Sequence, residues 1–255
     1  MNGNSVDGCS EDVAGWLLDP ISDSLLNLVE EMKVIGLTEK GIMAICVLSA
    51  INPRIKACPV NDAPFIDFMK DVSDQLSLAL EENDKGFPKS RTHCAIGFWV
   101  SIETLVEDIF VNYLIKHPST IEKLHERFKD IRFKQNANFS QFGNYKRLFR
   151  AVENAVDDEN VVRRYQSILD VLELSPILTD CQIDILTELC AMRNIVLHRR
   201  GVVDSEFVRK CPHSILKVGD KYTIDKDMTL SFYGSCSAFI SSILRKAVVL
   251  LRNRK

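Results

Sequence analysis

The sequence predicts an all-α protein, an up-and-down helical bundle with a small β-hairpin near its C-terminus. Three observations carry that expectation. Apolar residues recur at three- and four-residue steps along most of the chain. Pro and Gly punctuate those stretches into lengths that suit bundle helices. Only Ser214–Ile224 breaks the habit, with strand-forming residues on both sides of Gly219-Asp220. At 255 residues, 46% apolar and 26% charged, the chain is long enough to bury a proper core.

The elements follow in order. After a polar leader, Gly15–Met32 contains two short apolar repeats separated by Pro20, and Lys40–Ile51 and Phe65–Leu80 are further helical stretches. Pro53, Pro59 and Pro64 make Ile51–Pro64 a connector. A second break, Asn83–Arg91, marks a domain boundary. Residues 1–90 form an N-terminal helical region of unassigned role packed on the rest, and 91–255 form the second domain. Thr92–Lys116 is the best helix, because Phe98, Trp99, Ile102, Leu105, Val106, Ile109, Phe110 and Tyr113 make one broad apolar face. Ser119 caps a short helix three residues before Glu122. Lys134–Gly143 is a polar loop, and Asn144–Val156 and Val161–Leu172 are helices. Thr179 and Gln182 form a capping box that opens a helix from Asp180, ended by Gly201 at a C′ position. Ser205–Lys210 is a short helix stopped by Pro212, and Thr229–Leu251 is a long apolar helix.

Composition narrows the function. A formal net charge of -3 removes a general nucleic-acid coat, so any RNA contact must come from a local patch. Residues 1–20 have no basic head and carry Asp7, Glu11 and Asp12, unlike a secretory signal. The longest apolar run, Gly41–Ile51, has 11 residues against the ~20 that cross a bilayer. None of the eight cysteines forms a CxxC pair, so they are expected as reduced thiols in a cytoplasmic protein without membrane contact. The five histidines show no paired ligand spacing, and no phosphate loop, dinucleotide fingerprint, HExxH or GxSxG occurs. No metal and no cofactor are expected.

One segment carries chemistry: CAMRNIVLHRRGVVD, Cys190–Asp204. On a helix, Asn194 and His198 lie about 40° apart, whereas Arg193 and His198 lie about 140° apart. Arg193 borders the apolar stripe of Leu186, Leu189, Cys190 and Leu197, where it needs an anion or a carboxylate. Asn194 can hydrogen-bond His198 one turn on and orient the ring. Such a group suits metal-free RNA cleavage. The His moves a proton at the 2′-hydroxyl or the departing 5′-oxygen, and the Arg neutralises charge growing on phosphorus oxygens. One His does not easily do both at once, but a two-fold dimer supplies a second. The plainer alternative stays open: Arg193 pairs with an acid on a neighbouring helix, and His198 is an exposed helix-end residue.

RNIVLHRRG resembles the Rx4–6H motif of the HEPN superfamily, helical domains of ribonucleases found among toxins and antiviral systems. The resemblance covers about residues 92–251: a long first helix, the Arg-Asn-x-x-x-His helix, a Gly-Val-Val-Asp turn, a hairpin and a last helix. It implies that Arg193 and His198 are a catalytic pair in a metal-independent endoribonuclease, with Asn194 the polar residue after the Arg. It also implies a homodimer with a composite cleft, and a regulatory or antitoxin partner. Glu103 resembles the acid of the first long helix, though Glu103, Glu107 and Asp108 also read as a solvated flank. Some toxins of the superfamily carry a modifiable Tyr two residues after the His; this chain has Arg200 there, which puts that control in doubt. Arg199, Arg200 and Arg209 could form a patch for the RNA backbone, or a solvated helix end. The competing expectation is a non-catalytic HEPN-like module that binds nucleotide or protein.

Overall fold

The computed structural model describes residues 14–51, 77–128 and 142–253. Among them are nine helices: α1 (Gly15–Ile51), α2 (77–84), α3 (Pro88–Lys116), α4 (Thr120–Arg127), α5 (Phe142–Ala155), α6 (Val161–Val171), α7 (Asp180–Arg199), α8 (Ser205–Lys210) and α9 (Lys226–Asn253). The connector expected after Ile51, most of Phe65–Leu80 and most of Lys134–Gly143 lie outside the described residues.

Helix α3 is the centre of the bundle. All eight residues of its expected apolar face are buried, with Ala95 among them, and so are Cys94, Ser101, Val111 and Leu114 beyond its edges. A helix buried so widely must be surrounded, and α1, α5, α6, α7 and α9 all pack on it. Its start is fixed by Phe87 in the left-handed region (φ 62) and Pro88 at the first turn. The Glu82 carboxylate accepts the amides of Lys89 (2.7 Å) and Ser90 (3.0 Å), which the helix leaves without internal partners.

Helix α1 is continuous where two repeats split by Pro20 were expected. Proline removes the bond to the carbonyl of Trp16, one turn earlier. The side-chain amide of Asn112 on α3 donates to that carbonyl at 3.1 Å, so the helix passes through the proline with its acceptor satisfied. Leu17, Ile21, Leu28 and Ile35 form the buried side of α1 and share one core with α3 and α9. The expected Ser119 cap is not made. Ser119 has helical backbone angles (φ -61, ψ -19), which turn its hydroxyl from the orphan amides. The capping box at Thr179 and Gln182 is made in full, at 3.2 and 2.9 Å.

The β-hairpin is absent: among the described residues no strand forms, and the one bridge is Val202 with Lys221. The turn is centred on Val218-Gly219, one residue before the expected Gly219-Asp220, with Gly219 at φ 97 and the Asp220 amide donating to the Lys217 carbonyl at 3.0 Å. Its second arm, however, pairs with the chain leaving α7. Val203 donates to Asp220 (2.9 Å), Gly219 to Val203 (2.9 Å) and Tyr222 to Gly201 (2.9 Å). The first arm folds on itself instead. The Asp220 carboxylate takes the Lys217 amide at 2.8 Å and the Ser214 hydroxyl takes that of Leu216 at 3.4 Å. Ile215 is left 93% exposed, so no buried face sets a strand register there.

Helix α9 is long and apolar enough to cross a membrane by length and composition, with a mean hydropathy of 1.4 over its best window. In this fold Phe232, Cys236, Phe239, Ile243, Ala247 and Leu250 are buried on one face, and the helix packs against α1, α3 and α7.

Candidate functional site

Helix α7 presents the expected residues on its last two turns. Its end is built by two left-handed residues, Arg200 (φ 54) and Gly201 (φ 74), with the Gly201 amide closing on the Ile195 carbonyl at 2.9 Å. Asp204 then caps α8 through the Phe207 amide (2.8 Å), and Phe207 is anchored against Tyr222 at 5.4 Å. These contacts hold the α7 end against α8.

Arg193 faces α3. Its Nη2 lies 3.5 Å from Glu103 Oε2, and its Nη1 donates to Asn194 Oδ1 at 3.1 Å. Glu103 therefore meets Arg193, as a site residue would and as the plainer reading requires. The pair is long for a charge-assisted bond and its side chains are 27% and 33% exposed. Arg193 Nε is buried with no acceptor, as are Arg164 Nε and Trp99 Nε1. Sequence reasoning did not single out Arg164 or its neighbour Glu153.

His198 lies on the other flank. It is exposed and lines a cleft of about 310 Å³ with Asn194, Arg199, Asp204, Glu206 and Lys210. The hydrogen bond expected between Asn194 and His198 is not made, because Asn194 turns its oxygen to the Arg193 guanidinium. The structure thus keeps Arg193 and His198 apart on one helix. Asn194 is the residue common to both, bonded to the first and lining the cleft of the second.

The three arginines expected to meet RNA divide. Arg199 Nε lies 3.7 Å from Asp204 Oδ2, and Arg209 is held by Glu206 at 2.8 Å and by Glu159. Lys210 also meets Glu206, at 3.1 Å. Arg200 has no such carboxylate among the described residues. His213, in the turn after Pro212, lies 3.3 Å from Glu188, whose other oxygen accepts from the Tyr222 hydroxyl at 2.8 Å. No group of three His, Cys, Asp or Glu among the described residues could hold a metal ion. Cys94, Cys181, Cys190, Cys211 and Cys236 are free thiols. Burial pushes Cys190 up to about 12, with the Glu103 charge adding to the rise.

Burial also raises the Glu153 carboxyl above its ordinary range. Arg164 opposes the rise, and Glu103 and Glu107 add to it. A native pKa above the unfolded value means that the fold disfavours ionisation, so stability declines as pH rises through the native value. Glu153→Gln should therefore raise Tm at about pH 7 and lose that advantage towards about pH 3, well below the unfolded carboxyl's ~4.3, where the wild-type group is protonated in both states. Thermal melts of the two proteins across that range check it. An equal effect at both ends would exclude ionisation as the cause.

No family model, curated protein or solved structure matches this chain.

Proposed function

We propose that the chain is a metal-independent endoribonuclease of the HEPN kind, acting at a cleft shared by two copies. The observation that carries this is the Arg193–Asn194 bond at 3.1 Å, which ties a guanidinium to the cleft lined by His198. His198 takes the proton of a ribose 2′-hydroxyl, and the freed oxygen attacks the adjacent phosphorus. The 5′-oxygen leaves with a proton from an acid, and a 2′,3′-cyclic phosphate remains. Arg193 neutralises charge on the non-bridging oxygens.

Each chain brings one such histidine, so the acid is His198 of a second copy. Exposed apolar side chains near it in sequence support a two-fold contact: Leu197, Val202, Val208 and Ile215. Light scattering at micromolar concentration should then give about twice 28.9 kDa. A single species at the monomer mass counts against the composite site.

The chemical test is cleavage of a single-stranded RNA in EDTA. Cutting should persist, its products should end in 2′,3′-cyclic phosphate, and a 2′-deoxy substitution at the scissile nucleotide should abolish it. Loss of all cutting in EDTA would overturn the metal-free chemistry. One observation favours the second reading, a non-catalytic binding module: Arg193 is engaged by Glu103 and turned away from His198. RNA bound but never cut would select it.

A further inference from the structure

We infer that the groove between the start of α3 and the chain leaving α7 binds the phosphodiester backbone of single-stranded RNA, through Lys89, Arg200 and Lys221. The identity of the polyanion rests on the ribonuclease reading; the groove's charge does not. A cavity of about 400 Å³ opens there, lined by Lys85, Lys89, His93, Arg200 and Lys221, with Glu81 and Glu82 the carboxylates.

Both carboxylates are already used. Glu81 holds Lys85 at 2.5 Å, and Glu82 accepts the Lys89 and Ser90 amides at the start of α3. Those amides are thereby satisfied and are not what draws the ligand. Lys89 and Arg200 form no close ion pair among the described residues, although the Lys89 charge acts on the Glu81 carboxylate already held by Lys85. Lys221 rests its ammonium on the Arg200 carbonyl, which brings the cation to the end of α7 without neutralising it. Four cations against two engaged carboxylates leave the groove positive, in a chain whose formal charge is -3. The cleft at His198 differs: Arg199 and Lys210 face Asp204 and Glu206 there, and they pair. Phosphate attraction therefore belongs to the groove and not to the cleft.

Geometry joins the two. Val196 and Arg200 line the groove, while Asn194 and His198 line the cleft on the opposite flank of the same helix. A strand held in the groove crosses the end of α7 at Arg200, two residues from His198. Arg200 was already a candidate from the Arg199-Arg200 run, but Lys89 and Lys221 lie far from it in sequence and no run of charge revealed them.

The test uses the full chain carrying His198→Ala, so that RNA is bound and not consumed. Anisotropy of a fluorescein-labelled oligouridylate of about 12 nucleotides is read across a salt series. Lys89→Glu with Arg200→Glu should weaken binding at least about tenfold and flatten the log–log salt slope by about 1.4, two phosphates' worth for a single strand. Arg245→Glu with Lys246→Glu, in a separate cavity on α9, makes the same charge change and should cost less than about twofold. Undiminished binding, equal weakening in that control, or no binding by the parent protein would overturn the groove. If circular dichroism shows the reversed pair misfolded, Lys89→Gln with Arg200→Gln replaces it and should still weaken binding about threefold or more. RNA held through the groove by a protein that never cuts would end the ribonuclease reading alone. Cutting and binding both unaffected by the charge reversal would end the groove alone.

Discussion

His198→Ala should slow RNA cleavage by about 10²–10⁴-fold, the range expected when a positioned proton-transfer group is removed. Its fold should be intact. His198 is exposed in the last turn of α7 and has no hydrogen-bond partner among the described residues, so its truncation removes little packing. Surface changes of that kind stay within about 0.5 kcal/mol, a Tm shift below about 2 °C at this chain length. Activity and Tm must therefore separate. Cleavage by the variant at the wild-type rate would remove His198 from the chemistry and leave the binding-module reading. Asn194→Ala belongs beside it as a milder loss. The Asn194 oxygen is spent on Arg193, so its removal should disturb the guanidinium before it disturbs the imidazole.

The proposed composite site would also account for why one chain looks incomplete. The last turns of α7 place a cation towards α3 and an imidazole towards α8, about 140° away around the helix axis. Under the proposed two-fold arrangement, two copies meeting at the α7 end would bring the guanidinium of one towards the cleft of the other.

Locally determined features were legible. The apolar face of α3, the capping box of α7, the stop at Pro212 and the turn at Gly219 all follow from residues within a few positions of one another. Features that need a distant partner were not. Pro20 reads as a break until Asn112, far along the chain, takes the freed carbonyl. Gly219-Asp220 reads as a hairpin because the flanking residues suit strands, yet the partner that wins is the segment leaving α7. The same reason divides the candidate site. Helical angles placed Arg193 and His198 on separate flanks, but they could not show that Glu103 and Asn194 would share the guanidinium. Nor could they show that Lys89 and Lys221 would come to stand beside Arg200, since only the packing of α3 and the bridge at Val202 gathers them.

Arg193→Ala should lower kcat by about 10²–10³-fold, the loss seen when one donor to a developing oxyanion is removed. The chief rival is that Arg193 only braces α7 against α3 through Glu103. The two roles predict different patterns over four proteins. A pair 3.5 Å apart, with both ends partly exposed, contributes under about 1 kcal/mol. Arg193 Nε, buried without an acceptor, works against even that. Arg193→Ala should therefore melt within about 2 °C of wild type while its activity falls. Arg193→Lys should not restore activity. A point-charge ammonium cannot serve Glu103 and Asn194 together in the geometry of a planar fork. Glu103→Gln keeps an oxygen for the guanidinium and removes only the charge, so its activity should fall far less than that of Arg193→Ala. If Arg193 were merely a brace, Arg193→Ala and Glu103→Ala would shift Tm equally, Arg193→Lys would rescue both measurements, and cleavage would follow stability in all of them.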